Sequence, residues 1–175
     1  KIMGPMETRQ AGPIQAAVDA LIEALFQDDA RERQQARRAL VALGEAAVEP
    51  LTRLMANQDV DVRWEAVKAL ADIQAPAAVP ELVCALADKD SGIRWMAAEG
   101  LIALGHEALA PLLRALVQDP DSDFLREGAH HVLRKLSRGM RGTLITPILE
   151  ALSRTDSEED IILTANAALT RLNTP

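Results

Sequence analysis

The stretch Asp59-Val-Asp-Val-Arg-Trp-Glu-Ala-Val-Lys-Ala-Leu70 decides the fold, because it returns as Asp90-Ser-Gly-Ile-Arg-Trp-Met-Ala-Ala-Glu-Gly-Leu101. Related copies run from Asp29 through Arg33 to Leu40 and from Arg126 to Leu133, and a degenerate copy has Ile162 in the place of the arginine. The apolar residues of each copy recur with the spacing of one face of an α-helix. The chain is therefore built from an internal helical repeat.

A second apolar pattern lies between these copies and predicts a partner helix for each. Val18, Leu21, Ala24 and Leu25 are the first occurrence, and the same spacing returns four times. The sequence thus predicts ten helices in five hairpins, stacked into an all-α, right-handed α-solenoid. A single domain covers residues 12–174, with repeats at about 13–44, 45–75, 76–105, 106–139 and 140–173. A two-helix hairpin cannot bury both of its apolar faces alone, so the stacking of neighbours completes the core.

Composition excludes several classes of protein. Aromatic residues make up 2% of the chain, with no Tyr, which argues against β-sandwiches and barrels. A net charge of −7 weighs against nucleic-acid binding, which needs a basic stripe. We expect no apolar run long enough for a membrane span, and the single Cys84 excludes an internal disulfide framework. A cytoplasmic, soluble chain is the expectation, and residues 1–11 are interpreted as a tail, which begins with a cloning remnant before a native start at Met6.

The run Asp-x-x-Val/Ile-Arg-x-x-Ala-x-x-Ala-Leu, followed by Leu-Gly in two copies, resembles HEAT repeats of the short type also found in phycobilisome lyases. The resemblance covers residues 13–173 and implies the architecture without implying an activity. It also implies that the helices carrying the Val/Ile-Arg motif line the concave face. Their arginines (Arg33, Arg63, Arg94 and Arg126) would form an inter-repeat ladder of ion pairs with the preceding aspartates, which would also cap the helices.

Helical periodicity sorts the remaining positions of these motif helices. Both tryptophans of the chain, Trp64 and Trp95, directly follow the motif arginine, one repeat apart. Since equivalent helices of stacked repeats lie about 8–10 Å apart, the two indoles are expected to form one patch, unless they pack between adjacent helices instead. The candidate site is this patch with its neighbours on the same face, which are Glu65, Lys68, Met96, Glu99, Phe124, Glu127 and His131.

The resulting hypothesis is a non-enzymatic scaffold for protein–protein interaction. A peptide or a partner domain would bind the concave face through Trp64 and Trp95, presenting Arg or Lys to the indoles and to an acidic rim that includes Glu65 and Glu99. The alternative is a subunit of a phycobilin-lyase-like enzyme system, whose groove holds a chromophore or its acceptor protein. No catalytic residue, metal site or cofactor is predicted, because the chain has a single His-Glu pair, His106-Glu107, and no phosphate-binding loop or nucleophile motif. The oligomeric state is left open.

Overall fold

A computed structural model describes residues 12–138, 142–154 and 157–173, and within these ranges the chain forms ten α-helices. The predicted tail, 1–11, lies outside the described residues. The helices are α1 (Pro13–Ala24), α2 (Ala30–Leu43), α3 (Glu45–Leu54), α4 (Val60–Ile73), α5 (Val79–Ala85), α6 (Ser91–Leu104), α7 (Leu109–Gln118), α8 (Asp123–Leu136), α9 (Gly142–Ser153) and α10 (Glu158–Leu172). Short 3-10 helices at Pro76–Ala78 and Gly105–Ala108 precede α5 and α7. The predicted α-solenoid is confirmed.

Local sequence signals set the ends of the helices in the motif layer, our name for α2, α4, α6 and α8. Side chains of Asp29, Asp59 and Asp90 accept hydrogen bonds from backbone amides of the first helical turn, so each caps its helix. Gly44 and Gly105 end α2 and α6 with positive φ angles of 59° and 64°, as the sequence predicts. Aspartate therefore caps α2, α4 and α6, and a residue with positive φ ends each of them, whereas α8 is capped by Ser122 and ends at Ser137 with helical angles.

The two layers enclose a core of Leu, Ile, Val and Ala side chains. Helices α2, α4, α6 and α8 pack successively against one another, while α1, α3, α5 and α7 form the second layer. Gly100 of α6 is needed where α6 meets α4, because a Cβ atom there would lie 2.9 Å from Cβ of Ala71. Small residues at this crossing bring the motif helices close together and place their outer side chains in one surface.

The last hairpin is reversed relative to the others. Helix α9 packs on α8, and α10 packs on α7, so α10 belongs to the second layer. The sequence predicts that α10 belongs to the row of motif helices, as the degenerate copy with Ile162 in the place of the arginine, and that expectation is wrong. The buried face of α10 consists of Ile161, Ala165 and Ala168, and the helix makes its contacts with α7 and α9.

Those hydrogen bonds come from the motif arginines. In Arg33, Arg63 and Arg94, Nη1 donates to two carbonyl oxygens of the loop before the helix, at 2.8–3.2 Å. We refer to each such set of contacts as an arginine seam. It supplies hydrogen-bond partners for backbone carbonyls of the loop between two helices. The predicted helix-capping role of the preceding aspartates is confirmed for Asp29, Asp59 and Asp90.

The carboxylate partners of the first two seams come from the next repeat. Arg63 donates to both carboxylate oxygens of Asp88, with Nε–Oδ2 at 2.9 Å, and Arg33 lies 3.5 Å from Asp61. The inter-repeat ladder is confirmed at these two positions. Burial raises the pKa of Asp88, but the hydrogen bonds from Arg63 and from the amide of Asp90, with the charge of Arg63, outweigh it and hold the pKa below 3.8.

One helical stretch, Ser91–Gln118, is long and apolar enough to cross a membrane by length and composition, which differs from the sequence expectation. Gly105 interrupts it between α6 and α7, and 44% of its apolar window is buried inside the protein. In the solenoid this stretch contributes to the core.

We predict that Asp88→Asn destabilises the protein at neutral pH and removes part of its acid sensitivity. Because the folded pKa of Asp88 is lowered, its charge stabilises the fold above pH 3.8, and this contribution is lost as the pH falls through the folded value. The melting temperature of the variant should therefore lie below that of the wild type at pH 7, and the two melting temperatures should converge below pH 3.8.

Asp61→Asn is the matched control, since the side chain of Asp61 is 66% exposed and lies at the equivalent seam. Asp61→Asn should lower the free energy of unfolding by less than about 1 kcal/mol, as for other exposed pairs. Equal losses in the two variants would contradict a special role for the Arg63–Asp88 pair.

Candidate functional site

A groove of about 280 Å³ runs between α6 and α8 on the surface of the motif layer. Its walls are formed by Ser91, Arg94, Trp95 and Ala98 of α6 and by Phe124, Glu127, Gly128 and His131 of α8. Trp95 and Phe124 are 54% and 44% exposed, so two large apolar side chains face solvent in one groove. We call this site the α6/α8 groove.

Trp95 and His131 form the wall of the groove towards the C-terminal ends of the two helices. Their ring centroids are 5.2 Å apart and their planes are inclined by 43°. Nε2 of His131 lies 3.3 Å from Oε1 of Glu99, which follows Trp95 by one helical turn. These three predicted site residues are therefore brought together as one polar and aromatic cluster.

Phe124 and Arg94 occupy the other end of the groove. Cζ of Arg94 lies 4.0 Å from the centroid of the Phe124 ring, within the range of a cation–π contact. Phe124 stands in the register position that Asp61 has at the first seam, so at this seam an aromatic ring takes the place of a carboxylate. Among the described residues Arg94 has no ion pair, and its Nη1 is bound to the carbonyls of Asp88 and Lys89.

Trp64 lies outside the groove, so the predicted patch of two indoles is wrong. Its side chain is half-buried against the core, and a Cβ atom at Gly92 would lie 3.7 Å from its Nε1. On the other side, Cζ of Arg37 lies 5.7 Å from the centroid of the ring. The indole of Trp64 therefore fills space between α2, α4 and α6, as the alternative interpretation of the sequence proposes, whereas Trp95 is exposed.

Glu65 is also a structural residue, and its assignment to an exposed acidic rim is wrong. The residue is only 6% exposed, and Oε2 accepts a hydrogen bond of 2.7 Å from Nε of the buried Arg37. Arg33 approaches Oε1 at 3.9 Å, and Arg37 also lies 3.5 Å from Asp72. A carboxylate between two guanidinium groups is held in the interior by its charge partners, because an unpaired buried charge is costly.

The remaining predicted site residues are dispersed. Met96 packs against the core and does not line the groove, because its position on α6 turns away from α8. Lys68 pairs with Asp72 on its own helix. Glu127 lies in the groove, is exposed, and makes no ion pair within the described residues. Of the nine predicted residues, five therefore line or border the groove: Trp95, Glu99, Phe124, Glu127 and His131.

Sequence reasoning missed the contributions of Arg94 and Arg37. Arg94 was assigned only a structural role at its seam, although it also lines the groove. Arg37 occupies a repeat position that Val67 and Ala98 fill in the next two repeats. A charge at a position that is apolar in the next two repeats signals a buried partner, and Glu65 is that partner.

The adjacent histidines of α8 face different helices. His130 Nε2 lies 3.4 Å from Oγ of Ser153 in α9, whereas His131 faces α6. Burial, with the nearby positive charges of Arg134 and His131, lowers the pKa of His130 below 6.5. No group of three or more His, Cys, Asp or Glu side chains within the described ranges is arranged to hold a metal ion.

Comparison with known proteins agrees with this architecture. Residues 48–134 match the model for HEAT repeats, and these residues contain α4, α6 and most of α8. The chain is a HEAT-like repeat protein. No curated protein matches the sequence.

Solved structures similar to this HEAT-like repeat protein include a chain from the complex of CpcE and CpcF of phycocyanin lyase from Nostoc. The two are 26% identical with a TM-score of 0.58, and the match covers 87% of this chain and 98% of the other. A designed armadillo repeat protein is 22% identical with a TM-score of 0.47, covering 91% and 86%. A second designed armadillo repeat protein, in complex with the peptide (KR)4, is 22% identical with a TM-score of 0.47, covering 91% and 85%.

We predict that Glu65→Ala destabilises the HEAT-like fold by about 3 kcal/mol, because it leaves the buried Arg37 without its main charge partner. Glu127→Ala is the control and should change the free energy of unfolding by no more than about 0.5 kcal/mol, as for other exposed positions. Urea unfolding of both variants measures the difference. A similarly small loss of unfolding free energy in both variants would contradict the buried charge network of Glu65, Arg37 and Arg33.

The two tryptophans should also differ in their fluorescence. Trp64→Phe leaves only the exposed Trp95, whose emission should lie at longer wavelength and be quenched readily by acrylamide. Trp95→Phe leaves the half-buried Trp64, which should be quenched less. Equal quenching in the two variants would contradict the separation of the indoles.

Proposed function

We propose that this chain is a non-enzymatic protein-binding module, and that a segment of a partner protein binds in the α6/α8 groove. The observation that carries this proposal is the pair of exposed aromatic residues, Trp95 and Phe124, on the two walls of one groove. Tryptophan is prominent among residues that dominate interface energies, and the framework of α-helices holds it in a fixed position. The module acts by holding its partner in place.

The size of the groove favours a side chain of a partner protein as the occupant. Its volume of about 280 Å³ is at the lower limit of pockets for small molecules, which span roughly 300–1,000 Å³. One or two side chains of an extended segment fit such a space, while the segment itself crosses the surface of α6 and α8. The polar groups at its edge, Glu127 and His131, provide specificity.

A second candidate function is supported by the similarity to the chain of the CpcE–CpcF complex. At 26% identity over 98% of that chain, the likeness favours a role as one subunit of a two-chain lyase system, with the groove holding a chromophore or contacting its acceptor protein. Titration with a bilin separates the two functions. A shift of the bilin absorbance that is lost in Trp95→Ala would favour the lyase-like role over the protein-binding role.

For the proposed binding module, we predict that Trp95→Ala loses its partner while keeping its fold. The loss should correspond to about 2 kcal/mol of binding free energy or more, since the indole is the central anchor. Affinity capture from the source cells with the wild type and the variant, followed by mass spectrometry, measures it.

Phe26→Ala is the matched control, because Phe26 is 46% exposed and follows α1, far along the chain from the groove. Proteins captured by the wild type and by Phe26→Ala, but not by Trp95→Ala, are the expected result. Identical captured sets for the wild type and Trp95→Ala would contradict the proposal.

A further inference from the structure

The aromatic side chains of the motif layer differ in whether a cation covers them. Arg37 lies over Trp64 at 5.7 Å, and Arg94 lies over Phe124 at 4.0 Å. Trp95 is the most exposed of the three, and within the described residues no arginine or lysine lies over its ring. Two of the three rings thus already bind a guanidinium group of the chain itself, whereas Trp95 contacts the imidazole of His131 and is otherwise exposed.

Two carboxylates flank this exposed indole. Glu99 follows Trp95 by one helical turn, and its side chain is 44% exposed while it contacts His131. Glu127 lies across the groove on α8, and it has no ion pair in the part of the chain that the structure describes. An aromatic face bordered by carboxylates attracts a cation, since the ring quadrupole and the charges act in the same direction.

The positive charge of Arg94 does not cancel this preference. Its guanidinium is bonded to two carbonyl oxygens and stacked on Phe124 towards the N-terminal ends of α6 and α8. Glu99 follows it by five residues, which corresponds to about 7 Å along the helix axis. The guanidinium group of Arg94 is therefore already engaged, whereas Trp95 and Glu127 have no cationic Arg or Lys partner among the described residues.

We propose that the partner segment inserts an arginine side chain over the indole of Trp95, with its guanidinium group between Glu99 and Glu127. This inference rests on the proposed function, because it names the chemistry of the segment that the groove binds. Arginine fits better than lysine, since its planar guanidinium stacks on a ring and offers paired donors to carboxylates. Its aliphatic stem covers the apolar surface of the groove.

The probes are four synthetic peptides of alternating glycine and one test residue, which is arginine, lysine, citrulline or glutamate. Citrulline has the shape of arginine without its charge. Binding is measured by isothermal titration at low ionic strength, where exposed charges are least screened. The indole N–H resonance of Trp95 in the NMR spectrum is assigned by its loss in Trp95→Phe. Its shift on titration reports whether the peptide binds in the groove.

The arginine peptide should bind most tightly, the lysine peptide several-fold more weakly, and the citrulline and glutamate peptides not measurably. The arginine peptide should shift the indole signal of Trp95 and leave that of Trp64 in place. Trp95→Ala, and separately the double variant Glu99→Gln/Glu127→Gln, should weaken binding by about ten-fold or more.

A charge-matched control removes two exposed carboxylates elsewhere, with Glu23→Gln in α1 and Glu45→Gln in α3. If this control weakens binding as much as Glu99→Gln/Glu127→Gln, the attraction is general and the proposal is wrong. Tight binding of the citrulline or glutamate peptide, or an unshifted Trp95 signal, would overturn it as well. The proposed function would still stand if Trp95→Ala loses its captured partner, and it would fail separately if that variant keeps it.

Discussion

The arginine seam is the interaction on which the rest of this solenoid depends. A single guanidinium group satisfies two loop carbonyls of its own repeat and, at the first two seams, contacts a carboxylate of the next. Five donors in a planar fork allow one side chain to do this, which lysine cannot match. At the first two seams the same side chain thereby links one repeat directly to the next.

The candidate site arises where this pattern changes. At the third seam, Phe124 replaces the carboxylate and Arg94 stacks on its ring. The substitution leaves an aromatic wall opposite Trp95 and opens a groove between two helices that are otherwise closely packed. At the end of the array the arginine itself is replaced by Ile162, and the last hairpin packs in reverse. The groove and the end of the regular array thus both lie where the motif departs from the pattern of its central copies.

Most of the fold could be predicted from the sequence. The period of the repeat and the aspartate caps are local signals, and they predicted ten helices in five hairpins, which the structure confirms. The candidate site was predicted less completely. Trp95, Glu99, Phe124, Glu127 and His131 meet as expected, whereas Trp64 and Glu65 are turned inward by Arg37. Arg37 belongs to another repeat, so no sequence pattern within α4 predicts that Trp64 and Glu65 contact it.

By itself, the sequence determined the helical repeat, its two layers and the face on which the aromatic residues lie, because these follow from periodicity and from caps within a few residues. Only the tertiary structure decided which of two equivalent tryptophans is exposed, which carboxylate is buried, and in which direction the last hairpin packs. Each of these depends on charge pairs and close contacts between residues of different repeats, as between Arg37 and Glu65. Equivalent positions in a repeat share a backbone environment, but the side chains stacked on them differ, and that difference separates Trp64 in the interior from Trp95 in the groove.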